Sequence, residues 1–506
     1  MIVMHRVPLL TAALLCCTSV TLAQQPSTPV VPPNANTTHQ AEPWTKIPIP
    51  PLAPFNPVQP RRVELKNGLV ILLEEDHELP FINGSISIRG GERDVPAAKT
   101  GLIDLYGETW RTSGTTTMDG DKLDDLLEAK AAKVETGGDL DSTSVSWSSL
   151  TKDHDQVFRI AVDLLKNPAF SDEKLKLAKQ QAVAGIVRRN DDAAGIAQRE
   201  AARLVYGPDS PYGRQTEIAT VMGVTVDDLK TWHTKTVVPN NITIAIEGDF
   251  DSVAMEKKLR ETFEGMPRGE AWPKPSGEFP GPKPGVYFVN KADVNQSNVR
   301  IVGLGTERSN PDYYALAVLN EIFSGGFGSR LFQEVRTKQG LAYSVSGAYG
   351  ASYDHPGMFY TTASTKSEST VKATQAMLDE IGKLKTEPFT EAELKSAKDQ
   401  LLNSFIFHYD SKEKVLAEAV TLEFYGYPAD FLAKYRAGIE AVTIADLERV
   451  AKKYIDPTKL AVLVVGNESQ FGAPLTDLKL GPAHPIDITI PMPPGMQQQM
   501  GDGPSN

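Results

Sequence analysis

The sequence predicts an α+β protein built from two homologous domains, and three observations carry that prediction. First, Val224, Thr225, Asp228, Leu229, Lys235, Pro239 and Gly248 recur as Val442, Thr443, Asp446, Leu447, Lys453, Pro457 and Gly466, each pair 218 residues apart, with Ile242, Ile244 and Ile246 falling on Leu460, Val462 and Val464. Identical spacing without a gap points to duplication of one fold. Second, strand-like runs gather at both ends of each half with helical runs between them, which favours an α+β sandwich over regular βαβ alternation. Third, Pro267, Pro273, Pro275, Pro280, Pro282 and Pro284 with interleaved glycines exclude a helix or central strand near the middle of the chain, and mark a linker over residues 265–285.

The elements follow in order. Met1 to Arg6 carries one positive charge, Val7 to Leu22 is nearly all apolar or small, and Thr21-Leu22-Ala23 ends in small residues, which predicts a signal peptide over residues 1–23 cut after Ala23. The competing readings are a membrane anchor, for which the apolar core is short, and a lipoprotein, for which Leu15 and Cys16 are poor substitutes for the required small residue. Residues 24–60 form a polar, Pro-rich arm. Both cysteines, Cys16 and Cys17, lie in the peptide, so the mature chain has no disulfide, thiolate ligand or thiol nucleophile.

The first domain, residues 61–264, opens with Val63-Glu64-Leu65-Lys66 and Leu69 to Leu73 flanking Asn67-Gly68, a hairpin turn pair. Ile82, Gly84, Ile86 and Ile88 alternate as a strand, Thr100 to Trp110 is amphipathic, and Asp121 to Ala132 is helical. Ser142 to Trp147 alternates again, and helices are expected around Val157 to Leu165, Leu175 to Arg189 and Ile196 to Val205. The extended run Ile242 to Ile246 closes the domain with a Gly248-Asp249 turn. The second domain spans residues 286–471, and the Pro-, Gly- and Gln-rich residues 472–506 are expected to be a disordered tail.

At 506 residues the chain exceeds what one core usually organises, and 41% hydrophobic with 23% charged residues describes a folded, soluble body. Removal of Arg6 with the peptide takes the formal charge from −12 to −13, which argues against nucleic acid or an anionic membrane as the main partner.

Three stretches stand out together: the opening hairpin, Pro239-Asn240-Asn241 leading to Gly248-Asp249, and above all Gly325-Gly326-Phe327-Gly328-Ser329-Arg330-Leu331-Phe332-Gln333-Glu334-Val335-Arg336 followed by Gly340-Leu341-Ala342-Tyr343-Ser344. Through these motifs the sequence from Arg62 to Phe471 resembles the insulinase/processing-peptidase (pitrilysin) family of zinc metallopeptidases. The resemblance implies two processing-peptidase-like domains, each a mainly antiparallel sheet backed by helices, enclosing a chamber with a second such pair. It also implies, in active members, a helix bearing HxxEH with a further Glu roughly seventy to eighty residues on, two imidazoles and a carboxylate holding zinc while the enclosed Glu serves as base.

In the matching segment Gly101 to Glu108, Asp104 and Glu108 occupy the two His positions and Gly107 that of the base. The later Glu falls near Ala184-Gly185, where no carboxylate stands, and the eight histidines never occur as HxxxH, HxxH or HxH. The chain therefore resembles the noncatalytic bacterial members, with no metal bound in cis and zinc expected in a partner. Asp104 and Glu108, four apart on one helix face, could offer oxygens to a hard cation, but one pair is far from the six to eight that calcium takes, and a polar face toward solvent or chamber is the simpler reading.

Arg336 and Tyr343 match an Arg and Tyr seven apart that, in active assemblies of the family, hold the peptide substrate and its oxyanion. A guanidinium can donate two hydrogen bonds to a carbonyl and a phenol can stabilise a tetrahedral oxyanion. The structural alternatives are an arginine capping helix carbonyls and an ordinary strand tyrosine. A phosphate loop at Gly325 to Gly328 is disfavoured because no Gly-Lys-Ser/Thr follows.

The leading expectation is a substrate-binding subunit, exported to the periplasm or beyond, that forms a heterodimer with an HxxEH-bearing homologue and meets peptide substrates, with no nucleic acid and no membrane span once the signal peptide is removed. The alternatives are a structural scaffold, and a metalloendopeptidase with an unconventional site at Asp104 and Glu108.

Overall fold

The computed structural model describes residues 58–275 and 277–493. The signal-peptide reading, both cysteines and nearly all of the arm fall outside the described residues, as do residues 494–506.

The N-terminal half runs β1 (Arg61–Glu64), β2 (Val70–Glu75), β3 (Phe81–Arg89), α1 (Leu102–Thr112), α2 (Gly120–Glu128), β4 (Lys133–Gly138), β5 (Ser142–Leu150), α3 (His154–Lys166), α4 (Asp172–Arg188), α5 (Ala193–Tyr206), α6 (Ile218–Met222), α7 (Val226–Thr236), β6 (Ile242–Gly248) and α8 (Ser252–Phe263). Its sheet has the order β1-β2-β6-β3-β5-β4, antiparallel except for the β2–β6 pair. The Asn67-Gly68 turn closes β1 on β2 with Gly68 at φ +90°, and Asn67 is buried because its amide donates to the carbonyl of Phe263 at 2.8 Å.

The C-terminal half contributes β7 (Gly285–Asn290), β8 (Gln296–Leu304), β9 (Thr306–Glu307), α9 (Tyr313–Ser324), α10 (Arg330–Phe332), β10 (Ser344–Tyr349), β11 (Ala351–Ser352), β12 (Met358–Lys366), α11 (Thr370–Thr386), α12 (Glu391–Phe405), α13 (Lys412–Tyr425), α14 (Phe431–Ala441), α15 (Ile444–Tyr454), β13 (Ala461–Gly466) and β14 (Ala483–Pro485). Its main sheet has the order β10-β12-β8-β13-β7-β14, and β9 pairs with β11 separately.

The repeat has a physical basis. Thr225 and Asp228 exchange hydrogen bonds at the start of α7, and Thr443 and Asp446 do the same at α15, so the recurring residues are helix-capping boxes followed by the fully buried Leu229 and Leu447. Shifted by 218 residues, α7 falls on α15 at both ends and α5 falls on α13 to within one residue.

Those last two helices are exchanged between the halves. α5 packs Ile196, Ala197 and Ala201 against Val302, Leu463 and Val465 of the C-terminal sheet, while α13 lays Leu416 on Leu72 and Ala245 of the N-terminal sheet. Strands β2, β6 and β13 are consequently buried on both faces, which accounts for the unbroken apolar runs of β2 and β13 where a half-solvated strand would alternate. Buried Arg93 crosses the same seam, reaching Asp141 at 2.8 Å and Asp354 at 2.9 Å, and Arg62 meets Glu423 at 2.7 Å.

The expected disordered tail over residues 472–506 is corrected for its described part. Leu475 and Leu478 are buried in the C-terminal core, β14 pairs in parallel with β7, Ile486 and Ile488 pack where α5 meets the sheet, and Ile490 and Met492 reach the N-terminal core. The prolines and glycines suit an extended, non-helical path, but the apolar residues spaced along it supply enough burial to fix that path on the surface.

Candidate functional site

Helix α1 begins where the Glu92 carboxylate accepts the amides of Gly101 at 2.7 Å and Ile103 at 3.2 Å, an anion at the positive end of the helix. Leu102, Ile103, Leu105, Tyr106 and Trp110 turn into the core, which leaves Asp104 and Glu108 together on the open side. Asp104 is accessible yet closely surrounded, and this desolvation raises its carboxyl from the ordinary value.

Gly107, next along the helix surface from Asp104, is buried against the edge strand β4. A Cβ built there comes within 2.9 Å of the Gly137 Cα and 3.1 Å of its carbonyl carbon, and the Thr136 hydroxyl donates to the Gly107 carbonyl at 2.6 Å. The position that would carry a general base is thus closed by backbone. Ala184 and Gly185 lie on the exposed side of α4, and a Cβ at Gly185 meets nothing within 4 Å.

Two carboxylates without an imidazole, a third ligand or a free base do not fit the two-His-plus-carboxylate zinc site, and among the described residues no three His, Cys, Asp or Glu side chains converge as a metal site.

In the C-terminal half the Gly325 to Gly328 loop turns at Gly326, φ +73°, and Ser329 caps the next helix while its hydroxyl donates to the Gly326 carbonyl at 2.8 Å. Arg330 is structural: it forms a two-point ion pair with Glu393 at 2.6 and 2.9 Å and lies over Phe389. α10 then widens into a π-helical turn over Gln333–Lys338, with Leu331 and Val335 in the core and Arg336 facing out.

The Arg336 guanidinium sits 5.0 Å from the Phe332 ring centroid and 5.7 Å from that of Tyr343. The helix-capping alternative is not what the geometry gives, since among the described residues this guanidinium donates no hydrogen bond and makes no ion pair; its contacts are ring faces. Tyr343 is anchored by its backbone amide on Ser364 at 2.9 Å while its side chain is 80% exposed. Phe327, 75% exposed, meets Phe332 edge-on at 5.0 Å. Sequence reasoning missed Phe327 and Phe332 as neighbours of the pair, although both stand inside the motif that carries Arg336.

Comparison with known proteins places this architecture. Residues 223–401 match the family model "Peptidase M16 inactive domain". The chain is 23% identical over 406 residues to the "Non-peptidase homolog YmxG" of Helicobacter pylori, covering 79% of this chain and 92% of that one. It is 26% identical over 358 residues to an "Uncharacterized zinc protease" of Rickettsia felis, covering 70% and 84%.

A crystal structure of a peptidase M16 inactive domain from Pseudomonas fluorescens superposes with a TM-score of 0.72 at 23% identity, covering 81% of this chain and 98% of that one. A Helicobacter pylori protease gives 0.69 at 19%, covering 81% and 100%. The fold is that of paired M16 domains, α+β with two six-stranded sheets backed by helices. The chain is thus similar to M16 peptidases, through the inactive-domain model over residues 223–401 and through a relative named as a non-peptidase homologue.

Proposed function

We propose that this chain is the noncatalytic, substrate-binding subunit of a zinc endopeptidase, exported from the cytoplasm and paired with a homologous subunit that carries HxxEH and the zinc. The observation that carries the reading is the Arg336–Tyr343 pair: a guanidinium held between two rings, its donors unused among the described residues, beside a phenol almost fully open to solvent. Ring contacts orient a guanidinium without consuming its N–H groups, so it can donate two of them to a peptide carbonyl, and the phenol can donate to the oxyanion that forms as the carbonyl becomes tetrahedral. Neither group has to change protonation state.

The test is hydrolysis of an unstructured peptide by the chain alone, by an HxxEH-bearing homologue alone, and by the mixture. The mixture should cleave while the chain alone does not. Arg336→Ala and Tyr343→Phe should each lower the rate of the mixture by about 10²-fold, the scale for removing one oxyanion donor. Hydrolysis by the chain alone that a chelator abolishes would overturn the noncatalytic reading. Mixture rates unmoved by either substitution would leave a scaffold.

A further inference from the structure

A cavity of about 630 Å³ opens in the C-terminal half between α12, α13 and α14, bounded by none of the residues discussed above as a degenerate or substrate-binding site. Its size falls among small-molecule sites, roughly 300–1,000 Å³. The walls are aromatic: Tyr435 stacks on Phe405 with ring centroids 5.6 Å apart, Tyr313 lies beside Phe431 at 6.5 Å, and Tyr353 forms a further side.

Two opposite charges line this space without meeting. The Arg308 guanidinium lies 3.9 Å above the Tyr353 ring and is tethered by its Nε to the Ala351 carbonyl at 3.4 Å. Glu418, on α13, has no hydrogen bond or ion pair among the described residues, and desolvation raises its carboxyl while Arg308 and His408 oppose that shift. Lys414, the other cation on the rim, is already engaged by Asp410 at 2.7 Å and by the Phe407 carbonyl at 2.9 Å. Arg308 is therefore the permanent cation left to an anionic group, with the His408 imidazole also on the lining, and Glu418 the carboxylate left to a cation.

A ligand with a single charge would leave the other side chain uncompensated in a partly dewatered site, whereas a zwitterion satisfies both. We propose that this cavity binds a small zwitterion with an aromatic side chain, a free amino acid or a dipeptide, its carboxylate on Arg308, its ammonium on Glu418 and its ring among Tyr313, Phe405 and Tyr435.

Titration calorimetry on the full chain with L-phenylalanine and L-phenylalanyl-L-alanine tests this against N-acetyl-L-phenylalanine, which lacks the ammonium, and L-phenylalaninamide, which lacks the carboxylate. Both zwitterions should bind, and each singly charged analogue should bind at least about tenfold more weakly. Glu418→Gln should weaken the zwitterions about tenfold without weakening the N-acetyl compound, and Arg308→Lys should weaken them through loss of the planar donor pair. Ala417→Phe, which fills the cavity from the exposed side of α13, should abolish binding while the circular dichroism spectrum stays that of the parent. The proposal is overturned if neither zwitterion binds at millimolar concentration, if the singly charged analogues bind as tightly, or if Glu418→Gln and Ala417→Phe leave the affinity unchanged.

Discussion

Replacing Gly107 by alanine tests whether the general-base position has been absorbed into packing. The added Cβ meets three backbone atoms, at 2.9, 3.1 and 3.2 Å, and strand β4 cannot retreat as the end of a flexible side chain would. Overpacking of this kind costs about 1–3 kcal/mol, while the same substitution inside a helix returns about 1 kcal/mol of helix propensity. The net expectation is a loss of roughly 0–2 kcal/mol. Gly185→Ala on α4 is the internal control, because its Cβ enters open space and only the propensity gain of about 1 kcal/mol remains. The two variants should therefore lie about 1–3 kcal/mol apart in urea denaturation, with Gly107→Ala the weaker. Tryptophan emission is the suitable probe, since Trp110, Trp147 and Trp232 are all buried in the N-terminal half. Equal unfolding midpoints for the two variants would refute the argument that β4 closes this position.

Two other perturbations follow. Burial lowers both His154 and His233 from 6.5 to about 4, so the folded chain keeps them neutral where the unfolded chain binds protons. Their contribution is complete above pH 6.5 and declines as pH falls toward 4, about 1.4 kcal/mol per pH unit for each, and His154→Phe should remove roughly half of this slope in urea midpoints measured from pH 7 to 5. An unchanged slope would count against it. Truncation after Ala473 removes Leu475 and Leu478 from the core and β14 from the sheet edge, and should cost about 3–6 kcal/mol from the two leucines, seen as a lowered Tm. A Tm equal to that of the full chain would show the tail to be dispensable.

Much of the fold is legible in the sequence because local chemistry and tertiary role coincide. Asn67-Gly68 is a turn wherever it stands between two apolar runs, and Thr225 with Asp228 caps a helix regardless of what that helix later touches. Where the two part company, reading fails. β4, Lys133–Gly138, is an edge strand ending in two glycines, so it has little of the alternation that marks β3 and β5. The tail shows its prolines openly, while its order depends on a sheet edge and two cores assembled from distant segments. The apolar face of α5 is visible as a stripe, but nothing in the stripe says that it covers the other half's sheet. At the candidate site the absence of imidazole is plain in the residues, whereas the reason for glycine at position 107 appears only once Gly137 is seen opposite it.

The exchange of α5 and α13 bears on what the two degenerate halves can still do. Each sheet is left with an apolar outer face on which a helix from the other half packs, and Arg93 in that seam takes its carboxylates from both sides. A half cut at the linker would expose β2 and β6, or β13, and would leave Arg93 with Asp141 but without Asp354. The surface of α1 and the surface bearing Arg336 are therefore held in one body. Within that body the two surfaces differ: packing closes Gly107, whereas Tyr343 and Phe327 stand open to water. Exposed aromatics flanking a guanidinium that has no hydrogen-bond partner among the described residues are what the proposed substrate-binding role requires, and the Arg336→Ala and Tyr343→Phe rates are its test.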